Sequence, residues 1–249
     1  MGARPVLATI ALGVAAGTDE AWILECYRGM TALGSRHGAR IVGGDIVRAP
    51  ALTLALTLVG EVSPSRLKRR DAGRPGDVVA VTGPLGASRA GLELMRRPEL
   101  VVEAAARAAA AQAFETPEPR LREGRFLAAS ANVRAMLDSS DGLSTDLGRL
   151  ARASGCGAAI DQVPVHSAAA AVAMAAGASA QDYALDGGED FELVVAVARR
   201  AFPHLARRFA ASFGRPLLSV GRLEAEPGLR LALPSDSREL AAAGWDHFA

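Results

Sequence analysis

From Val78 onward the chain alternates short apolar runs with longer amphipathic or alanine-rich stretches, and that alternation constrains its fold more than any other feature. Short apolar runs bounded by turn residues read as buried strands, and longer segments with apolar residues every third or fourth position read as helices. Strands are expected at residues 78–82, 133–137, 158–161 and 191–197. A helical region is expected over about 87–113, with further helices near 143–154 and 201–213. The alanines of 104–113 express helix propensity and carry no functional signal. Strands interleaved with helices specify an α/β architecture.

The segment before Val78 adds a smaller unit. Val6, Ala8, Ile10 and Leu12 alternate with Leu7, Thr9 and Ala11, which predicts a buried strand. Arg4 followed by the apolar run 6–16 also resembles a short secretory signal, although the run is too short to span a bilayer. Thr18, Asp19 and Glu20 supply a capping side chain and carboxylates where a helix N-terminus favours them. Trp22, Ile23, Cys26, Met30 and Leu33 form an apolar stripe that ends before Gly38. Leu52, Leu54, Leu56 and Leu58 recur at period two in a strand over 52–62. Pro64, the basic residues Arg66, Lys68, Arg69 and Arg70, and the turn Arg74-Pro75-Gly76-Asp77 separate this part from the rest. Two domains, 1–63 and 64–249, are therefore expected.

Composition narrows the function classes. The 28 basic residues nearly cancel the 27 acidic ones, so no net field points to nucleic acid or a membrane surface as partner. Cys26 and Cys156 stand alone, without a CxxC spacing, as reduced thiols of a cytoplasmic protein would. There is no GxxxxGK[ST] loop, and His37, His166, His204 and His247 are scattered, which argues against a zinc site.

The chemistry lies in four segments that a core does not require. Gly43-Gly44-Asp45 reads as a tight turn, or as backbone thin enough to approach a phosphate with an acid beside it for the cation. Asp138-Ser139-Ser140-Asp141-Gly142 reads as an Asx-turn and helix cap, and equally as a source of hard oxygen ligands for Mg2+ with N–H groups for a phosphate. Glu189 and Asp190 follow paired glycines ahead of a strand, and Gly244-Trp245-Asp246-His247-Phe248 closes the chain. Each segment abuts an apolar run, so its acids are expected at strand edges or in loops. An all-carboxylate set favours Mg2+ over a transition metal.

Taken in order, these segments resemble the thiamine-monophosphate kinase family of the aminoimidazole ribonucleotide synthetase-like superfamily. The resemblance rests on Gly43-Gly44-Asp45, an arginine ahead of Pro75-Gly76-Asp77, Val81-Thr82-Gly83 with Gly86, Asp138 to Leu143, Gly187 to Leu193, and the ending Gly244 to Phe248. It implies a two-domain α/β (α+β) fold, ATP as co-substrate, Mg2+, thiamine monophosphate as acceptor, and a homodimer formed through the first domain. By position, Asp45, Asp138 and Asp141 resemble metal ligands, and Gly44, Ser140 and Tyr27 resemble ATP contacts. Arg70, with Arg69 as the alternative, resembles the arginine that meets the phosphates, and Glu189 and Trp245 resemble substrate contacts. Two other readings stay open: another ATP-using enzyme of the superfamily, and a nucleotide-binding chain without catalysis.

The family's pattern also begins earlier. Its glycine-Asp-Asp segment, Thr-Asp segment and substrate-binding histidine have no counterpart here, and Met1-Gly2-Ala3-Arg4-Pro5 resembles an internal stretch that follows them. The resemblance implies an incomplete first domain with an unpaired sheet edge, poor solubility and little or no kinase activity.

Overall fold

The computed structural model of the chain describes residues 1–234, 236–240 and 244. They form two units, one of Gly2–Leu67 and one of Lys68–Ala249 together with Met1.

The first unit contains β1 (Arg4–Val14), α1 (Glu20–His37), β2 (Arg40–Arg48) and β3 (Thr53–Glu61). Its sheet runs β2-β1-β3, with β1 parallel to β2 and antiparallel to β3. Asp19 caps α1 by accepting the Ala21 N–H at 2.9 Å, and Gly38, at φ 77°, ends it in the left-handed conformation. The apolar stripe that identifies this helix is not buried: no α1 residue is, and Trp22 remains 51% exposed. Periodicity specified the helix without supplying enough sheet to cover it. In the sheet, Ala8, Ile10 and Leu12 are buried. Their β3 partners Leu58, Leu56 and Leu54 share the same face and stay about half exposed.

Gly43-Gly44-Asp45 is neither a turn nor a loop. The segment lies inside β2, paired with Thr9, Ile10 and Ala11, beside a register shift between Ala8 and Thr9. A Cβ at Gly44 would fall 1.8 Å from the Ile10 carbonyl oxygen, whereas one at Gly43 would meet nothing. The Gly44 position therefore needs glycine for strand approach. Gly44→Ala should destabilise this unit by about 1–3 kcal/mol while Gly43→Ala leaves it near wild type. Urea unfolding compares them, and equal midpoints would refute the close approach.

The second unit contains β4 (Val78–Val81), α2 (Ala87–Arg96), α3 (Ala104–Glu115), α4 (Leu121–Ala128), β5 (Val133–Asp138), α5 (Leu143–Ala153) and β6 (Gly157–Ile160). It continues with α6 (Ser167–Ala176), α7 (Ala180–Asp186), β7 (Leu193–Val197), α8 (Phe202–Phe213), β8 (Leu218–Glu224), β9 (Leu229–Leu233) and β10 (Asp236–Glu239). The expected helical region over 87–113 is two helices. Pro98 removes a donor and disfavours helix at Arg97, whose φ and ψ are −132° and 70°. Helices α4, α6 and α7 and strands β8 to β10 were not anticipated.

The strands form one sheet in the order β10-β9-β6-β8-β4-β7-β5, in which, among the described residues, only β6 and β9 pair parallel. Alternation along the strands feeds two cores. Val79, Val81, Val194, Ala196 and Leu137 pack with Leu143, Leu147 and Leu150 of α5. Ala80, Val195, Val197 and Met136 pack with Leu127 of α4 and Leu205 and Phe209 of α8. A third cluster joins α2, α3, α6 and α7 through Ala90, Leu94, Ala110 and Val172. Because β7 runs antiparallel to both β4 and β5, the C-terminal ends of β4 and β5 and the start of β7 meet at the same end of the strands. Three loops, 82–86, 138–142 and 187–192, gather there.

Candidate functional site

Backbone hydrogen bonds lace these loops together. Ser139 N–H donates to the Glu192 carbonyl at 2.7 Å, Phe191 N–H to Ser139 at 2.9 Å, Glu189 N–H to Ser140 at 2.8 Å, and Thr82 N–H to Leu193 at 3.1 Å. The loop 187–192 is held in an unfavourable conformation, with Glu189 at φ 57° and Phe191 at φ 49°. For side chains of that size the left-handed region costs roughly 1 kcal/mol or more each, so the cross-loop bonds must hold it.

Asp138 ends β5, half-buried, opposite Leu193. Asp141 lies on the following turn, its carboxylate paired with the Arg149 guanidinium. The expected cap of α5 is corrected by the structure: the N-cap is Gly142, without a side-chain bond. Asp146, in the first turn of α5, instead reaches back and accepts the N–H groups of Ser140 and Asp141, both at 2.9 Å, on one oxygen. Its other oxygen accepts Arg149 at 3.0 Å. Burial raises the Asp146 carboxyl above its ordinary pKa, and the two N–H groups partly offset this. Asp146 was missed in the sequence, yet it sits among Leu143, Leu147 and Leu150 at helical spacing. An acid inside an apolar stripe was the available signal.

On the facing loop, Glu189 is exposed, and Asp190 accepts the N–H groups of Gly86 at 2.7 Å and Ser88 at 3.3 Å, capping α2. Burial pushes the Asp190 carboxyl up to about 7, against the lowering effect of those N–H groups. Glu192, 4% exposed, is the hub of an ion cluster. One of its oxygens accepts Arg120 at 2.7 and 3.0 Å and Arg215 at 3.3 Å, and the other accepts the Thr82 hydroxyl at 2.5 Å. Arg215 also binds Glu123 at 2.8 Å. No sequence signal linked these residues, which lie up to 110 positions from Glu192.

The remaining expected residues fall as follows. Gly44 and Asp45 are in β2 and Tyr27 in α1, all in the first unit, with Asp45 exposed and Tyr27 half-buried. Arg69 and Arg70 precede β4; the Arg69 carbonyl accepts Met136 N–H at 3.1 Å and the Arg70 carbonyl accepts the Ser154 hydroxyl at 3.0 Å. The Arg69 guanidinium pairs with Asp71 in an exposed contact. Trp245 and His247 lie outside the described residues, although Gly244 N–H donates to the Thr145 hydroxyl at 3.1 Å. Cys26 and Cys156 are both free thiols.

The donors Asp138 and Asp141 offer oxygen only, which suits Mg2+. Among the described residues no three His, Cys, Asp or Glu side chains gather as a metal site. Two carboxylates completed by water and phosphate oxygens are a usual Mg2+ arrangement, so the residues present fit that ion. Also among the described residues, no helix is long and apolar enough to cross a membrane.

Comparison with known proteins gives consistent matches. Residues 1–62 match the N-terminal domain, and 74–233 the C-terminal domain, of AIR synthase related proteins. The chain is 33% identical to the thiamine-monophosphate kinase of Salmonella typhimurium, over all of this chain and 75% of that protein. Its structure superposes on thiamine-monophosphate kinase from Stenotrophomonas maltophilia with a TM-score of 0.82 at 31% identity, covering 96% of this chain and 74% of the other. It superposes on AaThiL complexed with AMPPCP and TMP with a TM-score of 0.85 at 29% identity, covering 99% and 75%.

Proposed function

Because the chain belongs to the thiamine-monophosphate kinase family, within the AIR synthase related proteins, we propose that it transfers the terminal phosphoryl group of ATP to thiamine monophosphate, giving thiamine diphosphate. The observation that carries this reading is the hydrogen-bonded union of residues 138–142 with 187–192, which gathers the loops of Asp138, Asp141 and Glu189 at one end of the strands. Asp138 and Asp141 would hold Mg2+; in the first unit, Asp45 resembles a metal ligand, and Gly44 and Tyr27 resemble ATP contacts. Ser140 contacts ATP, Arg70 meets its phosphates, and Glu189 and Trp245 bind the acceptor. Bound Mg2+ supplies charge neutralisation on the phosphates.

The chain's own contribution is positioning. The acceptor is a phosphate monoester with a second pKa of about 6, so it arrives largely dianionic and needs no strong base. Attack is direct and in line, with no phospho-enzyme, since arginine and carboxylate-held charge suffice for a loose transition state. The half-exposed Leu54, Leu56 and Leu58 favour a second copy of the chain against the first unit, hence a homodimer. Free thiols and ATP as co-substrate favour the cytoplasm.

Release of ADP from ATP tests this reading. It should depend on both Mg2+ and thiamine monophosphate, and Asp141→Asn should lower it by about a hundredfold or more. Equal ADP release without the acceptor would exclude the kinase reading. ATP binding without turnover would remove the activity from this chain and favour a nucleotide-binding role.

A further inference from the structure

We propose that Arg149 is a displaceable counter-ion of the site: it holds the Asp141 carboxylate before a divalent cation arrives, releases it to that cation, and turns its guanidinium to a phosphate of the nucleotide. The proposal rests on the assignment of Asp138 and Asp141 as metal ligands. Three observations lead to it. First, Arg149 pairs with Asp141 and Asp146 at once, and both contacts run through Nη1. Among the described residues, Nε and Nη2 face no partner, so the planar fork that suits phosphate recognition is largely unspent.

Second, the two carboxylates differ in fixity. Asp146 is 1% exposed and is pinned by the Ser140 and Asp141 N–H groups, so it is a fixed anchor. The Asp141 side chain is 21% exposed and Arg149 42%, so their pair is the contact that can open. A partly exposed pair of this kind contributes little, far less than a divalent cation gains from a carboxylate ligand. Third, Arg149 lies in the second turn of α5 and reaches the Asp141 carboxylate on the 138–142 loop, so a phosphate drawn to a cation on that carboxylate would lie within reach of the same side chain.

Binding of Mn2+, as a spectroscopic stand-in for Mg2+, tests the idea on the 249-residue chain without requiring turnover. Arg149→Ala should raise Mn2+ affinity roughly two- to fivefold in the absence of nucleotide, because the competing cation is gone. It should lower affinity for a non-hydrolysable ATP analogue with Mn2+ present by a similar factor. In an Asp141→Asn background, the first effect should vanish. Unchanged or weaker Mn2+ binding by Arg149→Ala, with Asp141→Asn still binding more weakly than wild type, would overturn the counter-ion role and leave the metal assignment intact. Wild-type Mn2+ affinity in both Asp138→Asn and Asp141→Asn, or no binding by any of these proteins, would overturn the metal assignment and this proposal with it. Thermal melts of each variant exclude misfolding as the cause.

Discussion

Replacing Glu192 with alanine should lower the unfolding free energy of the second unit by about 3 kcal/mol, the lower end of the range for breaking a buried ion pair. The carboxylate is almost fully enclosed and receives Arg120, Arg215 and the Thr82 hydroxyl. Removing it leaves two guanidinium groups facing each other across a void, with Glu123 the remaining neighbour of Arg215. Both arginines retain about a quarter of their side-chain exposure and can recover some hydration, which keeps the loss from the upper end of the range. For a unit of this size the melting temperature should fall by roughly 6–12 °C. Glu192→Gln keeps the shape and the Thr82 bond and should lose less than half as much. The consequence for the site is specific. Glu192 also gives its carbonyl to Ser139, so amide exchange should accelerate at Ser139, Glu189 and Phe191 before it does at the centre of β7. A melting temperature within a degree or two of wild type for Glu192→Ala would show that the cluster contributes nothing net.

How much of this was legible in the sequence follows from the range over which each signal acts. β4, β5, β6, β7, α5 and α8 were readable because each is a local apolar pattern bounded by a turn residue, as with Pro75-Gly76 before Val78. The same logic failed at Gly43-Gly44-Asp45, where two glycines look like a turn but one of them is required by a neighbouring strand's carbonyl. It failed again at 87–113, where alanine propensity masked the break at Pro98. The acids at 138, 141 and 189 stood out because polar residues crowd beside apolar runs. Arg120 and Arg215 did not, because an arginine in an amphipathic helix or loop carries no mark of the distant carboxylate it will meet. Arg149 was invisible for a further reason: its partner Asp141 lies eight positions away on the preceding loop, and the two meet only once that loop folds against α5.

Asp190 should make the second unit less stable as pH rises from about 4 to 7. Its carboxyl is pushed up to about 7 in the folded chain, from an ordinary value near 3.8, chiefly by burial. A carboxyl with a raised folded-state pKa contributes stability that is complete below the unfolded pKa and is lost as pH climbs through the folded one. Three units correspond to an upper limit on the order of 4 kcal/mol, and the residual solvent contact of Asp190 brings the expectation to about 2–4 kcal/mol. Asp77, Asp146 and Asp186 are also raised by burial and act in the same direction, while Glu224, lowered by Arg230, acts in the opposite one. The wild-type curve alone therefore cannot isolate Asp190. The difference between wild type and Asp190→Asn can. Gly86 and Ser88 donate to different oxygens of Asp190, so asparagine keeps an acceptor for one of them only, but it has no charge to desolvate, and its disadvantage at pH 4 to 5 should shrink or reverse by pH 8. The mechanism is a contest between two physical effects: a helix start that attracts a negative charge, and an enclosed position beside Glu192 that repels one. If denaturant midpoints of the two proteins differ by a constant amount from pH 4 to 8, the helix start has won and the carboxylate is ionised throughout. If the gap closes as pH rises, enclosure dominates, and the loop that carries Glu189 is held most firmly to α2 on the acid side of neutrality.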